Sequence, residues 1–439
     1  MAYQDRYRQY LDEIPQDVKN CYSSGKRHVM AYTSNYDVVL NWDVDTYNQI
    51  LKKYLKEEPS VNEGDTIKSM EDFARISSYY LLRGIGGNFD ITEVEVCEYL
   101  KDKFVSEAAL GGTCAQGAAA LGAMGFPVNV QITDKSKEVC ELMNYQGMSI
   151  IKEDQMVPIM DGATEESPIY HFILQFSKDD KVVIGDKEYI IPVSNRLILF
   201  YDKLQKIVPI SKTFIKYWNT HAADMYSYLA SGFDAIVDLE IMKERLSELE
   251  MHYIEMRKRN PGFVFYFEGA FYMNPLVKEL ASDVISKYAD ILGMNEEELV
   301  AQVGRFDVTI DVSQLEEVFK GLDIVLDKYP VKGVVLHTKD YSMYYGMKME
   351  DIDIEKGLTI GNIMSGTRAR IGRYGTKEEC IETLSLPLSN VGIEFSEQID
   401  RMNLKKFVCV VPSRYLERPK YTIGLGDTFV AGVHTCFVK

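Results

Sequence analysis

Residues 421–433 read YTIGLGDTFVAGV, and the order of residue types within them leaves two readings open. Gly424 and Gly426 allow the backbone to take φ > 0 and to approach a ligand closely. Asp427 heads an apolar run that looks like a helix start, where an aspartate is well placed on structural grounds alone. The free amides of a helix N-terminus are also a ready site for an anion. The segment is therefore either a capped helix or the place where a phosphate meets a base. A short glycine motif does not choose between the two.

Working outward, apolar strand-like runs alternate with helical ones through the C-terminal half. The strands are GFVFYFEGAF (262–271), KGVVLHT (332–338) and KFVCVVPS (406–413). Between them PLVKELASDVISKYADIL (275–292) and SQLEEVFKGLDIVLDKY (313–329) place apolar residues at helical spacing. That alternation implies a mostly parallel, doubly wound sheet covered on both faces. Further upstream, LGGTCAQGAAALGAMGFPVNVQI (110–132) reads as a glycine pair, a small-residue helix that packs closely on a sheet, and a strand.

The N-terminal region differs in style. The first 25 residues form an amphipathic helix and loop, HVMAYTSNYDVVL (28–40) is β-rich, and residues 46–82 are helical in spacing. GIGGNFDI (84–91) breaks that pattern before a helical EVCEYLKDKF (95–104). PIYHFILQF, KVVIGDKEYIIPV and NRLILFYD, spread over 168–202, are short β segments without long helices between them and suggest an antiparallel group. The expected architecture is α/β: a large domain over 1–37, 109–165 and 209–439, and a smaller α+β lid over 38–108 and 166–208. Hinges are expected near 38–45, 105–111, 165 and 208.

Composition limits what this body does. The 439 residues are 46% hydrophobic and 26% charged, as in ordinary globular proteins. A net charge of −17 repels nucleic acid and anionic membranes, so neither is an expected partner. The charged N-terminus lacks the apolar core of a signal peptide, and seven scattered cysteines without C-x-x-C spacing fit neither a disulfide framework nor a zinc site. A reducing cytoplasm is the expected setting.

In a doubly wound sheet, ligands gather beyond the carboxyl ends of the strands. Glu268 ends an apolar strand and needs a partner if buried. Asn295 and Glu298 stand three apart at a helix start, either as an N-cap with a solvated acidic turn or as part of a hydrated Mg²⁺ site with Glu268. His337 follows a strand and is either a satisfied structural histidine or a residue bordering a nucleotide.

VPSRYLERPKYTIGLGDTF (411–429) resembles the C-terminal signature of the ADP-dependent sugar kinases, the glucokinase/phosphofructokinase family of the ribokinase superfamily. The resemblance continues through AYTSNYD (31–37), the 110–130 segment, SPIYHFILQF, VSNRLI, YFEGAF and GMNEEEL, in family order from about residue 28 to 436. It implies a ribokinase-like large domain and phosphoryl transfer from ADP to a sugar hydroxyl, with Mg²⁺ as the cation. Asp427 would accept the hydroxyl proton, and Gly424, Leu425 and Gly426 would help hold the transferring group at the helix N-terminus. Substrate contacts are implied for Asn35, Asp37, Asp90, Gly111, Gly112, Gln116, Asn195 and Arg196. Nucleotide contacts are implied for His337, Val411, Thr422 and Gly426, and metal contacts, mainly through water, for Glu268, Asn295 and Glu298.

Three places depart from the family pattern. Tyr266 stands where an H-x-E histidine is usual, and Thr113 and Gln116 replace residues that usually hold the sugar or its helix. Asp90 falls where glucokinases carry Glu and phosphofructokinases a small residue. A carboxylate there favours an unphosphorylated sugar or polyol, and as a shorter acid Asp leaves room for a ligand other than glucose. Two other readings stay open: an ATP-dependent kinase of another polyol or nucleoside, and a non-catalytic sugar or nucleotide sensor.

Overall fold

The computed structural model describes residues 3–62 and 64–439. Residues 1 and 2 of the expected N-terminal helix, and residue 63 of the 46–82 segment, lie outside the described residues. A ten-stranded sheet forms the body. Its order runs Phe407–Pro412, Tyr341–Gly346, Gly333–His337, Ile291–Asn295, Val264–Glu268, Met225–Ala230, Arg27–Ala31, Val128–Gln131, Met148–Lys152, Gln155–Pro158. The strands from Gly333–His337 to Met148–Lys152 pair in parallel, and antiparallel strands close both edges.

The central strands are continuous apolar runs because both sheet faces are covered. On one face the helices Tyr3–Ser24, Thr113–Ala123, Ile354–Ile371 and Leu425–His434 bury Leu11, Ala118, Leu358 and Val430. On the other, Lys212–His221, Leu239–Arg259, Pro275–Ile285 and Leu315–Lys328 bury Trp218, Leu249, Val277 and Leu322. No helix among the described residues is long and apolar enough to cross a membrane.

A five-stranded sheet stands beside the body in the order Gly87–Asp90, Asn195–Tyr201, Tyr170–Phe176, Asn35–Leu40, Ser106–Gly111. Its two faces follow the period of a strand. Val38, Phe172 and Leu199 pack with Ile50, Phe73 and Leu100 of the helices Val44–Tyr54, Met70–Leu81 and Val94–Lys103. The alternate row is read off the register: Asp90 pairs with Phe200, Phe200 with His171, and His171 with Asp37. That row carries Asp90, His171 and Asp37 beside Phe200 and turns toward the body, opposite the helix-covered face.

Four local expectations change. The β-rich run 28–40 splits into two strands, one in each sheet, divided at Ser34, whose amide bonds to Thr133 Oγ1 at 3.0 Å. The helix expected over 275–292 stops at Ile285, and Ile291–Asn295 is a strand. Asp290 sets that start by accepting from the Phe265 amide at 2.8 Å and pairing with Arg257 and Lys332. Residues 181–193 form a separate hairpin, Lys181–Ile184 with Lys187–Ile190, outside the lid sheet. The divisions drawn at 37/38 and 108/109 fall inside Asn35–Leu40 and Ser106–Gly111, whose full lengths lie in the lid sheet.

Candidate active site

The helix Leu425–His434 starts at the carboxyl end of the large sheet, and Gly424 precedes it with φ 67°. That left-handed turn costs an L side chain, and a Cβ at Gly424 would also collide with the Gln116 carboxamide. Gln116 lies on the neighbouring helix Thr113–Ala123, and its Nε2 donates to Asp427 Oδ2 at 2.8 Å. Its Oε1 accepts from Arg368 Nη2 at 2.7 Å, and Arg368 Nη1 donates to Thr428 Oγ1 at 3.3 Å. Burial pushes the Asp427 carboxyl above its ordinary range, while a bond from Thr113 and the charges of Arg368 and His337 pull it back. The result is a carboxylate of raised basicity held at a helix N-terminus.

Two cavities meet at this turn. The first, about 790 Å³, lies between the lid row and the body and reaches Asp427. Asn35, Asp37, Asp90, Gly111, Gly112 and Gln116, expected at the substrate, all line it. Burial pushes Asp37 up to about 6 against the pull of His171 and of Asn35, whose Nδ2 donates to it at 2.5 Å. His171 Nε2 is 2.8 Å from Asp202, and Lys206 Nζ pairs with Asp90 at 2.6 Å. Asn195 and Arg196 are placed elsewhere: both are exposed at the start of their lid strand, outside this lining, with Asn195 Nδ2 donating to the Gly84 carbonyl at 3.1 Å.

The second cavity, about 600 Å³, reaches Leu425 and Gly426 from the opposite side. His337, Thr422 and Asn295 line it with Asn362 and Ser413. Gly426 faces His337, whose Cε1 lies 3.0 Å from where a Cβ would stand. Val411 is not in this lining; its side chain belongs to the core, and its carbonyl accepts from Asn362 Nδ2 at 3.1 Å.

Glu268 is buried at the end of its strand with His337 Nε2 at 2.9 Å from Oε1. Burial pushes the Glu268 carboxyl up to about 7 in spite of His337. Burial disfavours the His337 cation, but Glu268, Glu298 and Glu296 together more than offset that and raise it. Asn295 and Glu298 form a full capping box, with bonds of 2.9 and 3.0 Å, so the structural reading of that pair holds. The metal expectation rests on a different atom. Glu268 Oε2 is buried without a hydrogen-bond partner. It is a hard oxygen donor, and Glu298 is close enough to add to the rise of the Glu268 carboxyl. Among the described residues no three His, Cys, Asp or Glu side chains converge as a cage. This set suits a hard cation that keeps its waters, such as Mg²⁺. Tyr266, at the missing-histidine position, is buried beside Glu268, which adds to the rise that burial gives its phenol.

Arg368, His171, Asp202, Lys206 and Asp234 were missed in the sequence. Arg368 had a signal: it lies one turn beyond Met364 and two beyond Ile360, on the buried side of its helix, where a charged residue needs a reason. The other four depend on lid register and on loops that meet only in the folded chain.

A basic carboxylate at a glycine-led helix N-terminus, with one cavity on either side, is what transfer of a phosphoryl group to an alcohol needs. Residues 26–435 match the model of the ADP-specific phosphofructokinase/glucokinase conserved region, and the chain belongs to that family of ADP-dependent sugar kinases. It is 21% identical over 439 residues to an ADP-specific phosphofructokinase of Pyrococcus horikoshii, covering 93% of this chain and 97% of that one. It is 20% identical over 454 residues to an ADP-dependent glucose/glucosamine kinase of Pyrococcus abyssi, covering 97% and 96%. In fold it resembles the last common ancestor of ADP-dependent phosphofructokinases from Methanosarcinales, with a TM-score of 0.84 at 18% identity over 100% of this chain and 99% of that one. An ADP-dependent kinase solved with fructose-6-phosphate and ADPβS gives a TM-score of 0.73 at 18% identity, with coverage of 100% and 99%.

Proposed function

We propose that the phosphoryl acceptor is an unphosphorylated sugar or polyol. One observation carries this reading. The acceptor cavity is lined by Asp37, Asp65, Asp90, Asp202, Asp234 and Asp427, and its one lysine, Lys206, is paired with Asp90. A phosphate dianion entering there meets several carboxylates and no free cation, whereas hydroxyls meet a wall of acceptors.

In this reading the acceptor hydroxyl lies against Asp427, which takes its proton as the new P–O bond forms. Leu425, Gly426 and Asp427 present backbone amides to the transferring phosphoryl group, and the helix N-terminus favours its charge. Asp37, Asn35 and the His171–Asp202 pair orient the sugar from the lid, and His337 and Thr422 border the nucleotide. Glu268, with Asn295 and Glu298, would hold hydrated Mg²⁺, which when bound neutralises phosphate charge. The lid over 38–108 and 166–208 closes on the sugar and excludes water from the transfer.

Steady-state assays with ADP and Mg²⁺ test this, comparing kcat/KM for glucose, other hexoses, polyols and fructose 6-phosphate. A higher value for an unphosphorylated acceptor is expected. A higher value for fructose 6-phosphate overturns the reading and assigns Lys206 to the phosphate.

A further inference from the structure

A third cavity, about 460 Å³, opens between the lid sheet and the C-terminal end of the helix Ile354–Ile371. It shares no lining residue with the acceptor cavity and only Pro419 and Thr422 with the nucleotide cavity. Arg368, Lys420 and Arg373, which also pairs with Glu379, line it with one carboxylate in the lining, Glu107.

The deepest of these groups is Arg368, which is 3% exposed. Its two terminal nitrogens donate to neutral oxygens, those of Gln116 and Thr428, and its Nε is buried without a partner. The rings of Tyr374 and Tyr421 stand 4.2 and 5.3 Å from the guanidinium, and both phenol oxygens are also buried and unpartnered. Three buried O–H or N–H groups that line one cavity therefore have no acceptor outside their own cluster, in which the Arg368 guanidinium offsets part of the rise that burial gives both phenols. Such groups are expensive unless an acceptor meets them, and a guanidinium sets a particular premium on an anion.

We propose that this cavity is a second ligand site, for a small phosphate-bearing anion, and that its occupant is felt at Asp427 through Arg368 and Gln116. The anion accepts from Arg368 Nε and from the two phenols, with Arg373 and Lys420 at the mouth. Its charge draws on the same guanidinium that holds Gln116 Oε1, so binding loosens the hold on Asp427 and slows transfer. Contact with Glu107 and Ala109 of the lid places the occupant between the two sheets. Free phosphate and the phosphate of a small organic ester share this chemistry.

Calorimetric titration with inorganic phosphate, and separately with glycerol 3-phosphate, tests the site at constant ionic strength with ADP saturating the nucleotide cavity. The wild-type chain should bind one equivalent of at least one probe, and the tighter of the two names the source. R373Q/K420Q changes two exposed side chains and should weaken that binding about tenfold. The same anion should lower wild-type kcat about threefold, with KM for ADP unchanged, and leave the double variant's normal rate untouched. Absence of binding with both probes, loss of binding on adding ADP, or unchanged affinity in the double variant would overturn the proposal. The binding readout is independent of which sugar the enzyme phosphorylates.

Discussion

Gln116 holds Asp427 by a 2.8 Å bond from its amide nitrogen while its amide oxygen is held by Arg368 at 2.7 Å. The carboxamide is thus fixed in one orientation, donor toward the base. That arrangement gives Asp427→Asn a clear expectation: the amide has no basic oxygen, so kcat falls by on the order of 10²–10⁴-fold. Binding of ADP, measured calorimetrically, should be unchanged because the helix amides remain. Retained turnover would assign the proton to another group.

In the proposed mechanism Arg368 acts on Asp427 through Gln116, as a positioning residue, and as a buried cation that favours its carboxylate. Asp427 is ionised only above its raised pKa, so the rate falls as pH drops through that value. Thr113, Arg368 and His337 favour the carboxylate, whereas Asp37, Asp234 and Glu268 share its field as like charges. Arg368→Met removes a favourable charge and should move the acid limb of the kcat profile up by about one pH unit. Arg368→Lys should restore part of that limb. A purely structural role would lower thermal stability and leave the limb where it was.

The placing of Asp427 behind a glycine-led turn, and of Asn35, Asp37, Gly111 and Gly112 along one cavity with it, was legible because each belongs to a contiguous motif whose residue types match a local backbone need. Strand–helix alternation carried the large sheet for the same reason. Lys206 and His171 were not legible: each gains its meaning from a partner 116 or 31 residues away across the lid. The strand Ile291–Asn295 was hidden because its apolar residues continue the spacing of the helix before it, and only the tie from Asp290 to Phe265 separates them. Asn295 and Glu298 show the reverse case, in which the local capping rule accounts for every bond between them.

Gly424→Ala tests whether the turn before the helix is needed for chemistry as well as stability. The left-handed φ alone costs about 1–2 kcal/mol, and the new methyl displaces Gln116. Gly25→Ala is the control, with φ 72° and nothing within 4 Å of its Cβ. Both variants should unfold at lower denaturant concentration, and only Gly424→Ala should lose kcat. Equal kcat in the two would separate the Gln116 contact from catalysis.

The metal reading turns on the unpartnered Glu268 Oε2. Glu268→Gln keeps the shape and one oxygen, but it removes the charge that draws a hydrated cation, and the single oxygen left serves either His337, 2.9 Å away in the wild type, or the cation. The Mg²⁺ concentration giving half-maximal rate should rise about 10–100-fold, with kcat recovering toward the wild-type value at high Mg²⁺. Direct titration of Mg²⁺ into the ADP-bound variant gives the same comparison without turnover. Glu298→Gln keeps the oxygen that bonds the Asn295 amide and so keeps the helix cap, while losing the second negative charge near Glu268. A rise in the Mg²⁺ requirement for both variants places the cation between them; a rise for Glu268→Gln alone reduces Glu298 to its capping role. An unchanged requirement in both would remove this carboxylate pair from the metal site.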